Sequence, residues 1–76
     1  MQLNHLDYSR ERAVMRLADD PTVRQEASRA VQGHWDDLLL MAEKYCVSES
    51  CVFDLVEYLY GMRFFRWGDR VAKKPI

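Results

Sequence analysis

Glycine and proline, the residues that most often interrupt regular secondary structure, are scarce in this sequence. The 76 residues include three glycines and two prolines. In the stretches between these glycines and prolines, apolar residues recur at the three- and four-residue spacing of amphipathic helices. We find no alternating β-branched run between turn dipeptides, which is the pattern that indicates strands. The sequence therefore predicts an all-α fold, a small bundle of three to four helices.

The first two predicted helices meet at an acidic boundary. The first covers residues 7–18 and the second covers residues 21–45. Asp20 is suited to cap the second helix, and Pro21 is suited to its first turn. Gly33 lies inside the second segment and either bends or ends it. The apolar stripe predicted for the two helices comprises Leu6, Ala13, Val14, Leu17, Ala18, Val23, Ala27, Ala30, Val31, His34, Leu38, Met41, Ala42 and Tyr45.

The third predicted helix covers residues 49–65 and is apolar on two faces, with Ser48 or Ser50 as its N-cap. Residues 68–76 are predicted to form a frayed basic tail. The whole chain, residues 1–76, is expected to form one domain, because it is shorter than an average domain. A chain this short usually has too little core to build a catalytic cleft as well as a fold.

Composition and charge exclude several classes of protein. Hydrophobic residues make up 49% and charged residues 30%, which is a globular balance. The formal net charge of −1 argues against a strongly basic nucleic-acid binder and a strongly acidic DNA mimic. Charge is nevertheless uneven. Residues 62–76 carry five basic groups against one aspartate, whereas residues 46–61 carry three acidic groups and no basic one.

No group of side chains in the sequence indicates catalysis or metal binding. There is no Ser/His/Asp grouping, glycine-rich phosphate loop or HExxH motif. Asp36 and Asp37 are adjacent, so their side chains would diverge by about 100° on a helix. Cys46 and Cys51 do not form a CxxC pair, and their apolar neighbours are typical of core cysteines. We expect no enzymatic activity, no metal, no cofactor and no small-molecule substrate.

The sequence contains neither a recognisable secretory signal nor a membrane-spanning segment, and these two features predict the cellular compartment. The first residues have no basic start followed by an apolar stretch, so we identify no secretory signal. No run of 18 apolar residues is present, so we expect no membrane span. A cytoplasmic protein with reduced thiols is the resulting expectation.

Residues 42–55, AEKYCVSESCVFDL, resemble the helix-turn-helix signature of bacterial and phage DNA-binding proteins. The resemblance implies a helical corner that contacts duplex DNA, with groove contacts falling on Lys44, Ser48 and Ser50. It rests on the small, turn and apolar positions of the signature, which are occupied by Ala42, Cys46, Val47, Val52 and Leu55.

Two features of this corner argue against DNA binding. The turn position is a cysteine, whereas the left-handed conformation expected there favours glycine. The positions expected to face the major groove, Ser48, Glu49, Ser50, Phe53 and Asp54, include two carboxylates and no Arg, Lys, Asn or Gln for bidentate base recognition. The corner is therefore also interpreted as a turn whose apolar residues only pack the two helices against each other.

The second candidate site is the aromatic and basic segment of residues 58–67, YLYGMRFFRW. Two Trp, three Phe and four Tyr exceed what a small bundle can bury, and aromatics beside arginine are typical of interface centres. The same mixture would suit single-stranded nucleic acid, or would simply be core aromatics with arginines at a helix C-terminus. The predicted protein-interface residues are Phe53, Tyr60, Arg63, Phe64, Arg66, Trp67 and Arg70.

Two functional hypotheses follow. The first is a non-enzymatic adaptor or inhibitor that occupies a macromolecular surface, with a protein partner, as a homodimer, or both. Its size, its lack of catalytic chemistry and its interface-like composition are similar to those of small phage-encoded inhibitors of host machinery, including anti-CRISPR proteins. The alternative is a helix-turn-helix transcriptional regulator that binds duplex DNA as a dimer.

Overall fold

A computed structural model of the chain describes residues 2–75, with side chains described from residue 10 onward. The protein is mostly helical, with one small antiparallel sheet of two strands. The prediction of a helical bundle is correct for residues 2–60, and the prediction that the fold has no strands is wrong. In chain order the elements are α1 (Gln2–Ala18), α2 (Pro21–Val31), α3 (Asp37–Lys44), α4 (Glu49–Tyr60), β1 (Phe64–Trp67) and β2 (Arg70–Lys73).

The helix predicted for residues 21–45 is two helices. It begins as predicted, because the Asp20 carboxylate accepts the Thr22 N–H at 2.9 Å and caps α2. It breaks at Gly33, whose φ of 152° is a conformation that residues with side chains rarely adopt. The Trp35 indole Nε1–H donates to the Val31 carbonyl at 3.2 Å and so satisfies one acceptor at the end of α2.

Helix α4 ends five residues earlier than predicted. Gly61 adopts the left-handed conformation, with φ 68°, and its N–H donates to the Glu57 carbonyl at 2.8 Å. This is a common way for a glycine to terminate a helix. Residues 64 and 65, which were predicted to be helical, therefore lie outside the helix and belong to β1.

The two strands form a hairpin closed by Gly68 and Asp69. Trp67 pairs with Arg70 across this two-residue loop, and Phe64 pairs with Lys73 at the far end. Gly68 has a φ of 65°, which matches the positive φ required at the first position of the tight turns that suit hairpins. The segment predicted to be a frayed tail, residues 68–76, therefore contains both residues of this turn and β2.

The core is built from the predicted helical stripes together with the hairpin. Helix α4 packs against both α1 and α3. Most of the predicted stripe is confirmed as buried, but His34 is exposed because it follows the break in the helix, and the Leu6 side chain lies outside the described part. The buried apolar residues are Val14, Ala18, Val23, Ala27, Ala30, Leu38, Met41, Ala42, Cys51, Val52, Leu55, Val56, Phe64 and Val71.

Candidate interaction surface

The hairpin has one face in the core and one face in solvent, because successive side chains of a strand point to opposite sides. Phe64 and Val71 lie on the inner face, and the Phe64 side chain is buried, with only 3% of the residue exposed. Its ring meets the Trp35 ring edge-on, with the centroids 5.4 Å apart. The outer face, called the hairpin face below, comprises Phe65, Trp67, Arg70 and Ala72.

Trp67 is the most exposed large apolar residue of the described side chains. It is 71% exposed, whereas Phe65, two residues earlier on the same face, is half-buried. The two rings contact edge to face, with centroids 6.1 Å apart and an interplanar angle of 84°. This is a favoured geometry for an aromatic pair. Phe65 thus supports the indole ring on one side and leaves its remaining surface in solvent.

The three arginines predicted to rim the interface are paired within the chain. Each pairs with a carboxylate of the helical part, so they hold the hairpin against the helices. Exposed ion pairs contribute little stability individually, about 0–1 kcal/mol each, but together they restrict the orientation of the hairpin. The pairs are Arg63 Nε with Glu57 at 3.6 Å, Arg66 Nη1 with Glu49 at 2.7 Å, and Arg70 Nε with Asp36 at 3.2 Å.

Asp36 connects β2 to the start of α3 through two hydrogen bonds. One carboxylate oxygen accepts the backbone N–H of Val71 at 2.7 Å, and the other accepts the Arg70 Nε–H. Asp36 directly precedes α3 but makes no side-chain hydrogen bond that caps that helix. Its carboxylate is therefore used to anchor β2.

The other predicted interface residues lie on α4. Phe53 is half-buried and lines a groove of about 300 Å³ between α4 and β1, together with Asp54 and Phe65. The Tyr60 hydroxyl donates to the Arg24 carbonyl at 3.0 Å, which fixes the end of α4 against α2.

The structure brings only part of the predicted interface set to one surface. Trp67 and Arg70 lie together on the hairpin face, whereas Phe64 is buried in the core. Phe65 and Asp36 were not among the residues predicted from the sequence, although both shape this surface. The alternation of residues 64–67 in a strand would have identified Phe65 as the partner of Trp67.

The residues predicted to contact DNA lie in and beside the turn between α3 and α4. Ser48 is the N-cap of α4, and its Oγ accepts the Cys51 N–H at 3.1 Å. Ser50 is exposed, with its Oγ 3.3 Å from that of Ser48. Lys44 Nζ binds both carboxylate oxygens of Glu26, each at 3.1 Å. All three residues therefore have hydrogen-bond partners within the chain.

Glu26, Lys44 and Tyr45 form a small polar cluster that links α2 to α3. The Tyr45 hydroxyl donates a hydrogen bond to Glu26, and this bond, more than the one from Lys44, lowers the pKa of the carboxyl group. The same carboxylate raises the pKa of Tyr45 and that of Lys44 through hydrogen bonds. These pKa shifts favour the charged forms of Glu26 and Lys44 and the neutral form of Tyr45. The hydrogen bonds of the cluster therefore stabilise the packing of α2 against α3.

The two cysteines differ in environment. Cys51 is buried between helices, and this burial raises the pKa of its thiol. A raised pKa favours the protonated, unreactive form. Cys46 is exposed and adopts the left-handed conformation, with φ 58°. Within the described residues, no group of three or more His, Cys, Asp or Glu side chains is placed to hold a metal ion.

Comparisons with known proteins found no match for this chain among family models, curated proteins or solved structures. None of the helices that the structure describes is long and apolar enough to cross a membrane. The function proposed below therefore rests on the exposed aromatic and charged side chains of the hairpin face.

Proposed function

We propose that this protein is a non-enzymatic interaction module, an adaptor or inhibitor that occupies the surface of a protein partner through its hairpin face. The observation that carries the proposal is the exposure of Trp67, 71% of which faces solvent. Such a side chain gains about 1.5–3 kcal/mol when it is fully buried, so its exposure is unfavourable for an isolated chain. Tryptophan is also among the residues most enriched at the centres of protein interfaces.

The contacts of the hairpin support the same proposal. Phe65 contacts the indole ring of Trp67 edge to face, and three exposed ion pairs join Arg63, Arg66 and Arg70 to the helical part. An anchor that is already held in its bound orientation loses less entropy on binding. The inhibitory role is proposed from the resemblance in size and composition to small phage-encoded inhibitors.

Trp67→Ala is expected to weaken capture of the partner about tenfold or more, because it removes the anchor of the surface. The matched control is Tyr58→Ala, which truncates another exposed aromatic, on α4 rather than on the hairpin. The immobilised full chain and both variants would be incubated with a lysate of the source cells, and retained proteins quantified by mass spectrometry. A protein retained by the wild type and Tyr58→Ala but lost with Trp67→Ala supports the proposal. Equal retention by all three chains contradicts it.

The alternative function is that of a helix-turn-helix transcriptional regulator that binds duplex DNA as a dimer. Its specific support is the turn between α3 and α4, where Cys46 has the left-handed conformation that the signature requires. Ala42, Val52 and Leu55 are buried where the two helices meet, as the signature also requires.

Fluorescence anisotropy distinguishes this alternative from the first proposal. The protein is titrated into random and genomic duplex DNA at two salt concentrations. A regulator gives saturable binding that weakens steeply with salt, because phosphate contacts release counterions. Its affinity falls further in Ser50→Glu, which adds a carboxylate to the corner. An interaction module of the proposed kind gives flat curves at both concentrations.

A further inference from the structure

The groove between α4 and β1 combines aromatic side chains with charges of both signs. Phe53 and Phe65 line it from opposite sides, and both residues are half-buried. Its volume of about 300 Å³ lies at the lower end of the range of ligand pockets. The charged residues that line it are Asp54 and Glu57 on the side of α4, and Arg63, Arg66 and Lys74 on the side of the hairpin.

Most of these charges are neutralised within the chain. The ion pairs are Asp54 with Arg10 at 2.9 Å, Glu57 with Arg63 at 3.6 Å, and Arg66 with Glu49 at 2.7 Å. Lys74 differs from them. Among the side chains that the structure describes, none forms an ion pair or a hydrogen bond with the Lys74 side chain. The groove therefore offers an apolar lining and one positive charge that is available to a ligand.

We propose that this groove binds an acidic peptide segment of the partner, which places a large apolar side chain between Phe53 and Phe65 and a carboxylate on Lys74. Phe65 also contacts Trp67, so the groove is continuous with the hairpin face. The segment thus extends the contact that Trp67 makes. The inference rests on the proposed function, because it names the chemistry of the partner that the hairpin face binds.

The carboxylates of the groove favour a peptide over single-stranded nucleic acid. A nucleic acid carries a phosphate on every nucleotide, so part of this continuous negative charge would lie against Asp54 and Glu57. Like charges brought together in an interface are unfavourable. A peptide carries its carboxylates at separate positions, so one of them meets Lys74 while uncharged groups lie against α4. Its apolar side chain gains free energy by leaving water.

A titration with short capped peptides, followed by nuclear magnetic resonance of the isotope-labelled full chain, tests the proposal. The first peptide has glutamates on both sides of a central phenylalanine. It is expected to shift the backbone amide signals of residues 53, 65 and 74. Glutamines in place of the glutamates are expected to weaken binding about threefold or more, and a central alanine about tenfold. No shift at millimolar glutamate peptide, or equal affinity for the glutamine peptide, overturns the proposal.

Two neighbouring lysines provide a matched pair of variants. Lys74→Gln is expected to weaken binding of the glutamate peptide about three- to fivefold, the effect of an exposed ion pair. Lys73→Gln removes the same charge from a residue that is also exposed but does not line the groove, so the affinity should stay close to that of wild type. Both variants keep the backbone N–H, so the hydrogen bond from Lys74 to the Arg63 carbonyl remains. An equal loss in both variants assigns binding to net charge and overturns the proposal.

Single-stranded oligothymidylate is the competing probe. If it binds more tightly than the glutamate peptide and shifts the same amide signals, the groove is a nucleic-acid site and the peptide proposal is wrong. Failure here is distinguishable from failure of the proposed function. If the glutamate peptide does not bind while Trp67→Ala still loses a captured protein, the partner is not held by an acidic segment, and the proposed function stands without this inference.

Discussion

Replacing Phe64 by alanine is expected to lower the free energy of unfolding by about 3–5 kcal/mol, the usual cost of truncating a buried phenylalanine. Phe64 is 3% exposed, and its ring meets that of Trp35 edge-on. A domain of this length is stable by only about 4–11 kcal/mol, so the loss is a large fraction of the total. Urea unfolding followed by tryptophan fluorescence measures it, because Trp35 lies against the truncated site.

The neighbouring residue provides the control for this prediction. Phe65→Ala removes a ring of the same size from the outer face of the same strand, where the residue is only half-buried. Its cost should be clearly smaller, because less surface is returned to water. If Phe64→Ala unfolds at the same urea concentration as wild type, Phe64 is not a core residue and the assignment of the two hairpin faces is reversed.

The helical part of the fold was predictable because its signals are local. The cap at Asp20 lies two residues from the N–H it binds, and the buried stripe of α2 repeats within single turns. Ser48 was one of two predicted caps for α4 and is the one used. Gly33 was identified as a point where the helix bends or ends, but periodicity alone could not decide between the two.

The hairpin was missed although a signal for it is present. Gly68-Asp69 is a two-residue turn of the kind that joins antiparallel strands, with four residues paired on each side. The signal was hidden because Tyr60, Phe64 and Trp67 are spaced by four and three residues, which is also helical spacing. Gly61 in the left-handed conformation interrupts that pattern and separates Tyr60 from the other two.

The error in secondary structure explains the error in the site. A helix places Phe64 and Trp67 on one face, whereas a strand places Phe65 and Trp67 on one face. The predicted residues therefore lie in the same segment as the proposed surface, but Phe64 was predicted in the place that the structure gives to Phe65. The intramolecular partners of Arg66 and Arg70 lie 17 and 34 residues away in the sequence, so their pairing depends on tertiary structure and has no local signal.

Asp36→Ala is expected to destabilise the protein by about 2 kcal/mol, although Asp36 lies outside the hairpin. The substitution removes the acceptor of the Val71 N–H and leaves that donor unpaired beside a buried side chain. An unsatisfied buried donor costs about 1–3 kcal/mol. The hairpin would lose its main attachment to α3, so backbone amides of β1 and β2 should exchange with solvent faster than those of α4. Urea unfolding and hydrogen exchange measure the two effects.

Two further variants separate the contributions of the Asp36 carboxylate. Arg70→Ala removes only the exposed ion pair and should cost no more than about 0.5–1 kcal/mol. Asp36→Asn keeps an oxygen that can accept the Val71 N–H, so its stability should lie between those of wild type and Asp36→Ala. If Arg70→Ala costs as much as Asp36→Ala, the ion pair rather than the backbone hydrogen bond holds the hairpin. Trp67 would then be positioned by a surface charge, and binding through the hairpin face would weaken as salt screens that pair.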